Sequence, residues 1–129
     1  MAHDPGRLEP AIRAFLAERH LGTLTTMRAD RSLHAVAVGF TFDPEAGLVR
    51  VITFASSVKA ANAGRGGRAA VAQVDGGRWL SLEGPVRLVT DPDGVAAAVV
   101  GYTARYRRPK DRADRVALEI RVERVLGRA

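Results

Sequence analysis

The chain contains no cysteine. Disulfide frameworks, thiolate nucleophiles and Cys-ligated zinc are therefore excluded, and a reducing cytoplasmic setting is expected. Lysine is nearly missing as well. Lys59 and Lys110 are the only two, so 18 of the 20 basic side chains are arginines. Aromatic residues make up 5% of the chain and are not interleaved with the basic ones. That disfavours the stacking platforms that single-stranded nucleic acid requires, and no nucleic-acid partner is expected. No apolar run approaches the ~18 residues of a membrane helix. Residues 1–7, Met-Ala-His-Asp-Pro-Gly-Arg, lack the apolar core of a signal peptide, so no membrane association is expected either.

What remains is rich in Arg, Ala, Gly and Val, the coding bias of a GC-rich genome. The formal net charge is +6. A solvated arginine-rich surface explains that charge without any ligand; an anionic ligand is the other explanation. A length of 129 residues fits one domain, residues 1–129. A chain of this size buries ~65% of its unfolded surface, enough for one core.

Leu8, Ala11, Ile12, Phe15 and Leu16 recur at helical spacing, which predicts an amphipathic helix over residues 8–20 with Gly22 near its stop. Strands follow at 21–28 and 33–42. The second is nearly continuously apolar and reads as covered on both faces. Asp43-Pro44-Glu45-Ala46-Gly47 is a turn, and 48–54 a third strand. Residues 56–64 have the character of a short helix capped by Ser56 or Ser57. Strands at 69–75 and 78–90 are joined at Gly76-Gly77. Asp91-Pro92-Asp93-Gly94 opens a helix with Val95, Val99, Tyr102 and Tyr106 inward, and 115–126 alternates again. Six strands joined mostly by short turns favour a closed or nearly closed antiparallel barrel, because closure removes exposed edges.

Ser57-Val58-Lys59-Ala60-Ala61-Asn62 directly follows the third strand. A helix start offers free N–H groups, Ser57 a hydroxyl and Lys59 a charge, a natural seat for phosphate. The same residues also suit a capped surface helix. His3, His20 and His34 are not at metal-ligand spacing, so no metal site is expected. No nucleophile elbow is present. Gly64-Arg65-Gly66-Gly67 follows the wrong element for a nucleotide-binding loop. No side chain announces itself as catalytic.

Beyond this, the strings Phe15-Leu-Ala-Glu-Arg-His20, Leu24-Thr-Thr-Met-Arg-Ala-Asp30 and Val36-Ala-Val-Gly-Phe-Thr-Phe-Asp43 stand in order with Arg50-Val-Ile-Thr53 and Lys59-x-x-Asn62. Gln73-Val-Asp-Gly-Gly-Arg-Trp-Leu-Ser-Leu-Glu-Gly84 and Glu123-Arg-Val-Leu-Gly127 complete the series. Together these resemble the split β-barrel flavin and deazaflavin oxidoreductases of the pyridoxine 5′-phosphate oxidase superfamily. Within it they are most similar to the deazaflavin-dependent biliverdin reductases of actinobacteria.

The resemblance implies a six-stranded antiparallel split barrel, mainly β with a few helices, acting as a homodimer whose ligand groove is shared between subunits. It implies an oxidoreductase using coenzyme F420, with FMN as the alternative, that reduces a conjugated acceptor such as biliverdin. A non-catalytic flavin- or tetrapyrrole-binding protein is a further alternative. Val51, Ile52 and Thr53 would line the cofactor ring, while Ser57, Lys59 and Asn62 would hold its phosphate. Gln73 would reach the cofactor or the dimer partner, or serve as an ordinary polar residue of the barrel. Trp79 would stack near the ring or serve the core or interface, and Arg78 would meet the cofactor tail or an anionic substrate. One departure stands out. Many relatives carry a second basic residue where this chain has Ala61, a charge that Arg65 or Arg68 would have to replace. Arg28, Arg87 and the Arg105–Arg108 cluster are candidates for the carboxylates of a substrate, since the guanidinium fork suits them. For 106–110 a solvated loop is the competing explanation.

Overall fold

In the computed structural model, which describes all 129 residues, the chain begins with a two-residue strand β1 (Ala2–His3) and helix α1 (Pro10–Ala17). Then come β2 (Gly22–Met27), β3 (Leu33–Val38), β4 (Thr41–Asp43), β5 (Leu48–Phe54) and helix α2 (Val58–Gly64). The order closes with β6 (Arg68–Asp75), β7 (Arg78–Val89), helix α3 (Pro92–Arg105), β8 (Arg115–Arg121) and β9 (Arg124–Arg128). No helix is long and apolar enough to cross a membrane.

Helix α1 carries Pro10 at its start, where the missing N–H costs nothing, and buries Ile12, Phe15 and Leu16. It ends at Ala17 because Glu18 is already extended, shorter than the periodicity predicts. Gly22 is not its stop but the first residue of β2.

All strand pairings are antiparallel, and the sheet runs β3-β2-β6-β7-β8-β5-β4, with β9 against β7 and β1 against β9. Its two ends, β3 and β4, are consecutive in sequence, separated only by Gly39 and Phe40. That corner brings the last strand round to the first and closes the barrel. A strand from 33 to 42 is therefore not what forms. Val38 still belongs to the first sheet edge, and Thr41 pairs with Arg50 on the other. Gly39 sits where a Cβ would lie 2.8 Å from the Tyr102 ring. Phe40 turns fully inside. Nor is β3 covered on both faces. It is an edge strand whose Leu33 is 65% exposed.

The last predicted strand also divides. Glu83 pairs with Arg124 and Val86 with Ile120, so Gly84 and Pro85 oppose three residues, 121–123. This β-bulge bends the chain between β8 and β9 and lets β7 serve both halves of the barrel. Pro85, which has no N–H to give, is tolerated there. The six expected strands thus become nine: two divide, and β1 is added. Leu24, Val51, Val71, Leu80, Leu82, Leu118 and Ile120 fill the interior with Phe15 and Phe40. Helix α3 covers the opposite face of β5, β8 and β7 through Ala98, Val95, Ile52, Ala117 and Val89.

The bulge makes a stability prediction. A Cβ on Gly84 would stand 1.8 Å from the Arg121 carbonyl oxygen, a backbone atom with no rotamer to yield. Gly84→Ala is expected to destabilise by ~2–3 kcal/mol or more. Gly64→Ala, which meets only Leu88 Cδ2 at 3.7 Å at the end of α2, is the control and should be neutral or slightly stabilising. Equal chemical denaturation midpoints for the two variants would contradict this.

Candidate functional site

Strand β5 alternates strictly. Val49, Val51 and Thr53 face the barrel interior, and Arg50, Ile52 and Phe54 face outward. Strand β4 pairs with β5 only across residues 48–50, while β8 pairs along its whole length. From Val51 to Phe54 one edge of β5 therefore carries no strand. Over the end of this stretch, where β5 meets the start of β8, lies a cleft of about 260 Å³. Ile52, Thr53 and Phe54 form one wall, and the loop between α3 and β8 forms the other through Arg107, Lys110 and Arg115.

Ser57 caps α2, its Oγ accepting from the Ala60 N–H at 3.1 Å and from Thr53 Oγ1 at 3.0 Å. Both contacts use its lone pairs, so the Ser57 proton is left to donate. Lys59, one residue into the helix, has no ion pair and no hydrogen bond, and burial pushes its ammonium below the ordinary lysine range. A half-buried cation without a partner, beside a hydroxyl donor at the end of an open strand edge, fits an anionic group such as a phosphate. The open edge itself offers backbone donors and acceptors to a flat heterocycle.

Of the residues expected to line the ring, Ile52 and Thr53 border the cleft, whereas the Val51 side chain is 2% exposed in the core. Only its backbone is available, because the alternation of β5 points it inward. Asn62 was expected at the phosphate; it is 4% exposed and its amide is already engaged. It donates to Thr26 Oγ1 at 2.9 Å and accepts from Arg65 Nη2 at 2.6 Å, bracing α2 against β2. Arg65 also reaches the Met27 carbonyl, and Arg68 pairs with Glu123 at 2.8 Å. Arg65 thus bonds only neutral oxygens, whereas the Arg68 charge is matched by a carboxylate.

Gln73, Arg78 and Trp79 do not line this cleft. Gln73 is fully buried, donating to the Phe15 carbonyl and accepting from Arg105. Arg78 grips Glu18 through both terminal nitrogens, reaches Asp75, and lies 4.3 Å over the Phe15 ring. Trp79 is 39% exposed opposite Val74, near the tip of the β6–β7 hairpin. The substrate candidates are engaged too. Arg28 donates to the Leu33 carbonyl of its own hairpin at 2.7 Å. Arg87 pairs with the buried carboxylate of Glu119 at 2.8 Å. Arg105 is structural, bonded to the Glu18 and Phe40 carbonyls. Arg107, Lys110 and Arg115 are what sequence reasoning missed as a group. Residues 106–110 read equally as a solvated loop, and only the fold lays that loop over β5.

Glu18, His20 and Asp75 bring potential metal-ligand atoms within 4.8 Å of one another, a cluster the histidine spacing alone does not reveal. Arg78 bonds both carboxylates and already supplies the positive charge there.

The arrangement has known counterparts. Residues 8–129 match the family model described as pyridoxamine 5′-phosphate oxidase. The chain belongs to the pyridoxamine 5′-phosphate oxidase family. It is an oxidoreductase of the split-barrel type. It is 53% identical over 129 residues to a Mycobacterium tuberculosis (strain CDC 1551 / Oshkosh) protein named F420H(2)-dependent biliverdin reductase. That alignment covers 100% of this chain and 94% of the relative. Among solved structures, a conserved hypothetical protein of Mycobacterium tuberculosis superimposes with a TM-score of 0.79 at 26% identity, covering 94% of this chain and 84% of that one. A structure titled F420 reductase gives a TM-score of 0.74 at 24% identity, covering 92% and 98%, a likeness of fold.

One prediction concerns acid stability. Hydrogen bonds from Arg78 and then His20 hold the Glu18 carboxyl at about 2, against an ordinary 4.5. A depressed folded value means that the unfolded chain binds the proton more readily. The stabilisation is therefore complete above the ordinary value and is lost as pH falls from about 4.5 toward 2. Glu18→Gln should melt lower at neutral pH and show a flatter acid limb in that window. Superimposable acid limbs in thermal melts would overturn the assignment.

Proposed function

We propose that the protein is a cytoplasmic F420-dependent reductase that delivers a hydride to a conjugated acceptor, with biliverdin as the substrate. The observation that carries this reading is the lone, unpaired Lys59 at the open edge of β5, in a chain 53% identical throughout to a protein named as such a reductase. Reduced deazaflavin, when bound, supplies the hydride.

The chain's own contribution is placement. The free backbone edge at 51–54 and the Ile52 side chain orient a flat ring. Ser57 and Lys59 hold the phosphate, a charge-assisted contact that fixes the ring's depth along the strand. The loop over the cleft narrows solvent access and keeps positive charge where an anionic acceptor enters, so that donor and acceptor meet at short range.

The decisive test is a fluorescence titration with F420 and with FMN, followed by anaerobic mixing of the enzyme, reduced F420 and biliverdin. F420 should bind more tightly, and loss of reduced cofactor should match bilirubin formation. Lys59→Ala should raise the F420 dissociation constant on the order of tenfold or more, since a charge-assisted hydrogen bond is worth ~1.5–3 kcal/mol. Its melting temperature should not move, because Lys59 holds nothing else. Preferred FMN binding, or biliverdin left unreduced while another conjugated acceptor turns over, would refute the corresponding part of the reading.

The working unit we propose is a homodimer. The outer face of β3, β2 and β6 has no helix over it and presents Leu33, Met27 and Val74, at 65%, 44% and 68% exposure. The half-exposed Trp79 continues this patch. An apolar patch of that kind marks an interface, and a second copy would also cover the bare edge of β3. Sedimentation at micromolar concentration should give twice the chain mass, and a monomer would count against the pairing.

A further inference from the structure

The stretch from the last residue of α3 through the following loop to the first residue of β8 carries much of the chain's net charge. Residues 105–115 hold six basic side chains, Arg105, Arg107, Arg108, Lys110, Arg112 and Arg115, against Asp111 and Asp114. That leaves an excess of four within a chain whose net charge is +6. Both acids are engaged. Asp114 takes two bonds from Arg112, at 2.9 and 3.0 Å, and Asp111 faces Arg108 at 4.0 Å. Arg107, Lys110 and Arg115 have no ion pair, and all three line the cleft beside β5.

The loop is also anchored. The Arg112 guanidinium lies 4.4 Å over the Phe54 ring, and the Asp114 carbonyl accepts from the Ala55 N–H at 2.9 Å. Arg115 begins β8 directly opposite Phe54 and is half-buried. Three cations without ion pairs, two on the loop and one at the start of β8, raise the local potential and leave donors without acceptors. The cleft volume of about 260 Å³ lies below the ~300–1,000 Å³ that encloses a whole drug-sized ligand, so it takes one end of a larger molecule.

We propose that residues 107–115 form a carboxylate-binding arm at the mouth of the cleft, with Arg107, Lys110 and Arg115 as the groups that grip ligand carboxylates. Arg112 is a positioning residue that keeps the arm on Phe54. This deepens the function proposed above and rests on it for the ligand's identity. It also moves substrate carboxylates away from Arg28 and Arg87, whose guanidinium groups are engaged with the chain itself. Two sources supply the same chemistry: the propionates of a bilin acceptor and the glutamate tail of F420.

The test compares the wild type with Arg107→Ala/Lys110→Ala, both exposed positions whose loss should leave the melting temperature unchanged. Dissociation constants are measured by ligand absorbance or fluorescence for biliverdin, its dimethyl ester, F420 and the tail-free form of F420. The double variant should lose on the order of tenfold or more for the member of at least one pair that bears the carboxylates in question and little for the counterpart that lacks them. Loss confined to biliverdin assigns the arm to the acceptor. Loss confined to tailed F420 assigns it to the cofactor. Wild-type affinities for all four ligands in a folded variant overturn the proposal. If the wild type binds no biliverdin, the acceptor reading falls separately and the F420 pair alone decides the arm.

Discussion

Arg105 takes its guanidinium into a half-buried corner where no carboxylate bonds to it. Burial pushes its pKa below the ordinary arginine value, and neutral oxygens must replace the water it loses. It finds them on three separate elements: the Glu18 carbonyl after α1, the Phe40 carbonyl at the barrel corner and the Gln73 amide on β6. The Phe40 ring lies 4.6 Å below it. Tyr106 completes the staple, its hydroxyl donating to the His20 carbonyl at 2.5 Å and accepting from the Phe40 N–H at 3.1 Å. The corner at Gly39-Phe40 is where the sheet's two ends meet, so this staple fixes barrel closure.

The same staple sets the stage for binding. It ties the end of α3 to the corner, and the chain leaves that fixed point directly into the loop over β5. The corner also limits β4 to three residues, which leaves β5 bare from Val51 onward. One closure thus produces an open strand edge and a basic loop packed over the end of the same strand. Lys59 arrives from a third direction, on the helix that β5 itself leads into. The position of α2 is in turn held by Asn62 against Thr26. The site is framed by polar contacts that are mostly complete, with unpaired cations along the cleft and at the start of α2.

Much of the fold was legible from side-chain type. Alternation marked β5, β6 and β7 within a residue or two, turn residues marked their ends, and Ser57 was recognisable as a cap. The divisions of the long strands were not legible, because apolar alternation runs unbroken through Val38-Gly39-Phe40 and past Arg121. What breaks those strands is a partner: the Tyr102 ring against Gly39, and an extra residue opposite Gly84. The candidate site was legible in part: Ile52 and Thr53 border the cleft, and Ser57 caps α2 with Lys59 in its first turn. Asn62, Gln73, Arg78 and Arg87 are polar residues with partners on distant elements, and no local pattern announces such a partner.

Sequence alone determined most of the segments that form strands and, through order and resemblance, the family. Those properties depend on residue type and on neighbours along the chain. Tertiary structure decided which charges are free. Of the many arginines, most are neutralised by a carboxylate or spent on a carbonyl from another element, and only folding reveals the pairing. Among the cations without an ion pair, Arg107, Lys110 and Arg115 line the cleft and Lys59 stands at the start of α2, because closure of the barrel at Phe40 sets where strand, helix and loop lie.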